Sequence, residues 1–431
     1  MDTNLIMAVY VGLLLLLLAS GLWVGFALIL VGIITIFLWM PPGSERIIGY
    51  TIWTNSNSFI LTCIPLFILM GEILFRSGLS DRIYESLTPV MSYFPGQLFH
   101  TNIVSCAIFA AACGSSPATA ATIGTVGLPE LEKRGYDTRL ALGSIAAGGT
   151  LGILIPPSII MIIYAAIVGE SIARLFLAGI VPGIMMSVLF MLYIGIVCKA
   201  KPELAPKIQR LPFGQAMRSL LGIWHVTLLI VLILGGIYGG IFTPTEAAGV
   251  GAFGALLLAL ARGKLTWISF KEAVISTVHT TSMLMVLLVG SGILVIALTN
   301  LGVPAYLMEK VTSSAISPLA VLLLVYLVYI ILGMLMDGVS MIVITLPVVF
   351  PIIQAVGYNA VWFGIALVIL VEIGLLTPPV GINLFVLHGL RPKIPMSEVI
   401  IGSVPFFLIL VLGLALLTAF PQVTLWLPGF L

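Results

Sequence analysis

Charge is the scarcest commodity in this 431-residue chain: 18 Lys and Arg and 16 Asp and Glu make up 8% of it, where a soluble globular protein carries roughly a quarter. That excludes an ordinary soluble enzyme. With a net charge of +2 and no basic stretch interleaved with aromatics, nothing supports nucleic-acid binding. The four cysteines stand singly, at Cys63, Cys106, Cys113 and Cys198, without the CxxC pairing of a zinc site or the density of a disulfide framework. No Lys or Arg precedes the first apolar run, Leu5 to Leu18, so that run lacks the basic flank of a cleavable signal and reads as a membrane helix. What is abundant is apolar: 61% of the residues, in repeated runs long enough to span a bilayer. The chain reads as an all-α polytopic membrane protein.

It also repeats itself. Gly135-Tyr136-Asp137 returns as Gly357-Tyr358-Asn359, and Ile155-Pro156-Pro157-Ser158 returns as Thr377-Pro378-Pro379-Val380, both after a shift of 222. The same shift pairs Gly152 with Gly374, Pro129 with Pro351, and Ser115 with Asp337. One register held that long marks an internal duplication. Each copy has apolar runs interrupted at Cys113 to Pro117 and Gly148 to Pro157, or at Met336 to Gly338 and Gly374 to Pro379. Tandem proline removes two backbone donors and stops a helix, and glycine permits the turn. Within a membrane such backbone persists only inside protein or beside a wet cavity.

The loop before Gly135 is charged (Glu130, Glu132, Lys133, Arg134, Asp137, Arg139), whereas its counterpart, residues 354–360, has no charge. The positive-inside rule puts the first loop in the cytoplasm and the second outside. Lys199, Lys201, Lys207, Arg210 and Arg218, Arg262, Lys264 and Lys271, and Arg391 and Lys393 then also fall inside, with both chain ends outside. The halves are thereby expected to be inverted repeats. The first occupies 1–198, with scaffold helices to about 96 and a re-entrant hairpin and broken helix over about 97–170. A cytoplasmic linker at 199–218 follows. The second occupies 219–431, with scaffold over about 219–313, hairpin and broken helix over about 314–390, and a last helix over about 396–430. Short surface helices are expected at about 80–94 and 302–313. Inverted repeats with interrupted helices are the architecture of secondary transporters, with the site at the breaks.

Half-helices beginning at a break offer N–H groups to a carboxylate, and those ending there offer carbonyls to a cation. Ser115, Ser116, Thr150, Asp337, Ser340 and Thr377 add the hard oxygens sodium prefers. Asp337 leads, because a carboxylate at membrane depth is costly without a cation or partner; capping the following half-helix is the competing role. Thr243-Pro244-Thr245-Glu246 reads as a capping box. Glu72 reads as structural. Glu372 suits either support of the break or coupling, and Asn383 faces either the cavity or a neighbouring helix. His100, His225, His279 and His388 are scattered and read as structural or interfacial. Six of the tryptophans, Trp23, Trp53, Trp224, Trp267, Trp362 and Trp426, fall mostly near run ends, as in an interfacial belt.

Five segments, in order along the chain, resemble one family: Ile64-Pro65-Leu66-Phe67-Ile68-Leu69-Met70-Gly71-Glu72, Cys113-Gly114-Ser115-Ser116-Pro117-Ala118-Thr119, Gly152-Ile153-Leu154-Ile155-Pro156-Pro157-Ser158, Gly240-Ile241-Phe242-Thr243-Pro244-Thr245-Glu246-Ala247-Ala248 and Thr377-Pro378-Pro379-Val380-Gly381-Ile382-Asn383. The family is the large membrane subunit of TRAP transporters, the tripartite ATP-independent periplasmic transporters. The resemblance implies an elevator-type, sodium-coupled importer of organic acid anions such as C4-dicarboxylates, sialic acid or sugar acids, in the bacterial inner membrane. It implies two partners, a small four-helix membrane subunit on a separate polypeptide and a periplasmic substrate-binding protein. It places a first sodium site on Gly114, Ser115 and Ser116 with Gly149, Gly152 and Pro156, and a second on Asp337, Gly338, Gly374, Thr377 and Pro378. Two or more sodium ions are expected as coupling ligands, with no organic cofactor. The substrate is expected near Ser116, Ser340 and Asn383. Many family members have serine where this chain has Cys113. A stand-alone sodium–dicarboxylate or citrate symporter shares the paired hairpins and is the competing reading. An intramembrane enzyme is disfavoured: the Gly114-Ser115-Ser116-Pro117 turn lacks the second glycine of a rhomboid-type serine site, and neither a His-Glu-x-x-His motif nor a second membrane aspartate is present.

Overall fold

A computed structural model describes residues 3–313 and 316–430, and among these the regular structure is helical throughout. The first ten α-helices are α1 (Thr3–Ala19), α2 (Val24–Trp39), α3 (Arg46–Ser56), α4 (Cys63–Arg76), α5 (Leu79–Met91), α6 (Leu98–Cys113), α7 (Ser116–Lys133), α8 (Thr138–Leu154), α9 (Ile159–Val168) and α10 (Ile172–Ala200). After a short α11 (Phe213–Ser219) come α12 (Trp224–Tyr238), α13 (Pro244–Ala261), α14 (Trp267–Asn300), α15 (Val303–Ser313), α16 (Pro318–Gly333), α17 (Gly338–Ala355), α18 (Ala360–Leu375), α19 (Ile382–Leu390) and α20 (Met396–Ala419). Among the described residues seven helical stretches are long and apolar enough to cross a membrane, eight when the bent pair α3–α4 counts as one crossing.

The duplication in sequence is a duplication of elements. Shifting α7 by 222 residues gives 338–355, the bounds of α17, and the start of α8 maps onto the start of α18. Local chemistry repeats with it. Asp137 and Asn359 occupy equivalent N-caps, accepting from the amides of Leu140 at 2.8 Å and Trp362 at 3.1 Å. Each satisfies one donor that the first turn would leave free. The Pro156–Pro157 and Pro378–Pro379 bonds are both cis.

One pair of counterparts differs. The 34-residue α14 is continuous, whereas the matching stretch of the first copy bends by 52° between α3 and α4. The bend follows Asn55-Ser56-Asn57-Ser58, whose short polar side chains compete for backbone groups and weaken a helix interior.

The core is built on the two broken helices. Every residue of α8 from Leu140 to Leu154 and of α18 from Val361 to Leu375 is buried, while α1, α12 and α20 turn leucines such as Leu16, Leu228 and Leu408 outward. The copies are interlocked: α8 packs on α20 and α18 on α10, α7 on α19 and α17 on α9. The α8–α20 crossing depends on small residues, since a β-carbon at Gly143 would collide with the Gly402 carbonyl. That is how membrane helices approach closely.

Candidate functional site

At the first break α6 ends on Gly114 in the left-handed region (φ 65°), and Ser115 precedes α7 in extended conformation. The turn lies against the broken end of α8: a β-carbon at Gly152 would sit 2.6 Å from the Ser115 carbonyl oxygen, and one at Gly114 would sit 2.8 Å from the Pro157 carbonyl oxygen. Gly149, one turn earlier in α8, packs against Ala120. Ser116 is fully buried and its hydroxyl donates to the Thr150 carbonyl at 2.9 Å. Thr150 donates in turn to Ala147 at 2.7 Å. The α8 helix stops at Leu154, and buried Pro156 begins the link to α9.

The second break has the same construction with different side chains. Asp337 caps α17, its Oδ2 accepting from the Ser340 amide at 3.0 Å; Oδ1 bonds no other described residue. Gly333 and Gly374 face each other so closely that a β-carbon on Gly374 would lie 2.7 Å from the Gly333 Cα. Gly338 lies against Val371. The Val380 amide donates to the Met334 carbonyl at 3.1 Å, tying the end of α16 to the link after α18. Thr377 turns its hydroxyl back to the Ile373 carbonyl at 2.5 Å. Just before the break, Glu372 is 0% exposed, and no described residue bonds either of its carboxyl oxygens.

Asp337 and Ser340 open onto a cavity of about 710 Å³, whose other wall is the α1–α2 turn (Leu22 to Phe26) and the face of α14 that carries His279, Thr280, Ser282 and Met283. A second cavity, of about 770 Å³, lies at the far end of α17, where Pro347, Phe350 and Pro351 face Thr54 and Asn55 at the end of α3 and Thr299 of α14. At the edge of this second cavity the Ser291 hydroxyl of α14 donates to the Val343 carbonyl of α17 at 2.8 Å.

The breaks thus gather Gly114, Ser115, Ser116 and Gly152 at one place and Asp337, Gly338 and Gly374 at another. Of the three residues expected near the substrate, Ser340 faces the 710 Å³ cavity, and Ser116 and Asn383 line neither of the two cavities. Asn383 is buried, with Nδ2 donating to the Ala146 carbonyl at 3.3 Å and Oδ1 unpartnered. Glu72 accepts from Ser276 of α14 at 2.7 Å and from Arg76 at 3.3 Å, a tie between α4 and α14. Thr243 and Glu246 form the reciprocal capping box at the start of α13. His100 and His388 bond the carbonyls of Pro95 and Ile394, and His225 stacks on Trp224. His279 is the exception, being part of the cavity wall. Among the described residues no three His, Cys, Asp or Glu side chains come together as a metal cluster; the oxygens at the breaks are carboxylate, hydroxyl and carbonyl, the donors of hard cations.

By its apolar spans the chain is a multi-pass helical membrane protein, with two interrupted helices at its centre, a capped carboxylate at one of them and a cavity beside it. The family model described as the tripartite ATP-independent periplasmic transporter, DctM component, matches residues 11–423, and the chain belongs to that family. Among its relatives are the C4-dicarboxylate TRAP transporter large permease protein DctM of Pseudomonas aeruginosa, 35% identical over 93% of both chains, and the sialic acid TRAP transporter large permease protein SiaM of Vibrio cholerae, 31% identical over 96% of both. These relatives are named as permeases, not enzymes. Among solved structures the fold is shared with the YdaH transporter of Alcanivorax borkumensis, at a TM-score of 0.63 and 13% identity over 95% of this chain and 97% of that one. It is also shared with MtrF of Neisseria gonorrhoeae, at a TM-score of 0.55 and 13% identity over 90% and 85%.

Proposed function

We propose that this chain is the sodium-coupled transport subunit of a tripartite importer of organic acid anions, of the C4-dicarboxylate, sialic acid or sugar-acid class. The observation that carries the proposal is Asp337: a carboxylate between the apolar helices α16 and α17, spent only in part on its cap, opening with Ser340 onto a cavity at one of two equivalent helix breaks. Sodium at Asp337, Gly338, Gly374, Thr377 and Pro378 offsets the cost of that charge. A second ion belongs at Gly114, Ser115, Ser116, Gly149, Gly152 and Pro156, where the oxygens are neutral.

The two copies are inverted relative to each other in the bacterial inner membrane, with the charged loop around Arg134 in the cytoplasm and both chain ends in the periplasm. The scaffold comprises α1–α5 and α12–α15, and the hairpins with the broken helices travel against it as an elevator. Support for that movement comes from α17, which has free volume at both ends and, among the described residues, one side-chain hydrogen bond from α14, at the edge of the 770 Å³ cavity. Binding of ions and acid drives transport to the extent that it differs between the two end states. A small four-helix membrane subunit and a periplasmic binding protein complete the system. The relatives named as TRAP permeases favour this reading over a stand-alone symporter.

The test is uptake into proteoliposomes that hold this chain and its small subunit, with loaded binding protein outside. Uptake of succinate or sialic acid driven by an inward sodium gradient, and absent with potassium, is the expected result; equal uptake in both salts contradicts sodium coupling.

A further inference from the structure

Hydroxyl groups along α14 are in two different conditions. On one side of the 710 Å³ cavity, Ser276 donates to Glu72 at 2.7 Å and Thr277 to the Ala273 carbonyl at 2.8 Å; on the other, Ser291 donates to the Val343 carbonyl at 2.8 Å. Between them His279, Thr280 and Ser282 line the cavity, and their side chains bond no other described residue. Positions 279, 282, 283 and 286 recur every three or four residues, so they occupy one face of the helix. That face looks across the cavity to Asp337 and Ser340.

The two walls offer opposite chemistry. Ionised Asp337 only accepts hydrogen bonds and repels an anion. The donors available to an anion are therefore the Ser340 hydroxyl, the largely exposed Trp23 indole, and the group on α14. An imidazole keeps at least one N–H in either protonation state, and the two hydroxyls add two more donors.

We propose that His279, Thr280 and Ser282 form the scaffold half of the acid-binding site, donating hydrogen bonds to a carboxylate of the transported anion, while the hairpin wall around Asp337 holds the cation. This assignment rests on the organic-acid function proposed above. It makes α14 a determinant of which acid is accepted, because donors fixed on a scaffold helix discriminate by where the second polar end of the acid falls.

The experiment is a titration of the purified chain with its small subunit, in saturating sodium, with succinate and separately with sialic acid, following the melting temperature. The acid that stabilises the wild type is expected to need a concentration about tenfold or more higher in His279→Ala and in the Thr280→Ala/Ser282→Ala double variant, the effect of losing hydrogen bonds to a charged group. His279→Gln, which retains an N–H donor, recovers part of the loss. The stabilisation given by sodium alone is unchanged in all three. Half-saturation at the wild-type concentration in both the alanine and the double variant overturns the assignment, as does loss of the sodium response in them. Where sodium stabilises the wild type but neither acid does, the organic-acid function fails and takes this contact with it, an outcome distinct from wild-type binding that the variants leave unchanged.

Discussion

At the first break Ser115 stands before α7 and Thr150 lies in the last turns of α8; at the second, the equivalent positions before α17 and in α18 hold Asp337 and Glu372. The backbone device is the same: a glycine-lined approach of a hairpin turn to a helix end that tandem proline prevents from continuing. The polar groups of the first are used inside the protein, with Ser116 on the Thr150 carbonyl and Thr150 on the Ala147 carbonyl. Those of the second keep unused capacity, with one Asp337 oxygen and both Glu372 oxygens free of described partners and a cavity alongside. Duplication supplies the geometry twice, and substitution at two positions makes one copy acidic.

The comparison breaks most completely at Asp337. Asp337→Ala is expected to abolish sodium-driven uptake and also to lose about 1 kcal/mol of cap. Asp337→Asn keeps the cap and loses the charge, so uptake abolished in both, with a melting temperature near wild type only in the asparagine variant, separates ion binding from capping.

Next in size are the glycines that let each break close. In Gly374→Ala the new β-carbon meets the Gly333 backbone, and in Gly152→Ala it meets the Ser115 carbonyl; neither obstacle is a flexible side-chain end. Each variant is expected to lose about 1–3 kcal/mol by overpacking, read as a lower melting temperature and a lower yield of folded protein, and equal losses in the two would show that the breaks are built alike.

Ser116→Ala sharpens the contrast between copies. It removes one buried hydrogen bond of about 1 kcal/mol and leaves the Thr150 carbonyl unpaired by it. The melting temperature should fall by a few degrees while the sodium dependence contributed by Asp337 remains. The smallest effect is expected far from both breaks: Glu246→Ala opens the capping box of α13, at a cost of about 1 kcal/mol or less, with uptake per folded molecule unchanged.

The repeat was legible because it is written in residue types that control backbone: the Gly/Pro breaks, the Asp137 and Asn359 caps and the tandem prolines recur in one register, and the helix bounds follow them. The acid at the second break was legible for a related reason, since an isolated carboxylate in an apolar run needs an explanation wherever the chain folds. The bend between α3 and α4 was not, although Asn55 to Ser58 carry a local signal, because the matching segment of α14 reads as one apolar stretch. The place of His279 has no local mark in the sequence, being a lone histidine on a helix; it is set by the α1–α2 turn and by α17, which line the same cavity from far along the chain. Ser116 shows the converse, a hydroxyl in the right motif whose donor the structure commits to the Thr150 carbonyl.

The central claim, that Asp337 at the second break holds a sodium ion, is tested most directly by the melting temperature of the purified protein with its small subunit in rising NaCl, with KCl holding ionic strength constant. A ligand that binds only the folded state stabilises it by mass action, with no knowledge of the transported acid required. A saturable, sodium-specific rise that is weakened in Asp337→Asn is the predicted result; the same melting temperature in both salts, or a sodium response that Asp337→Asn leaves intact, would contradict it.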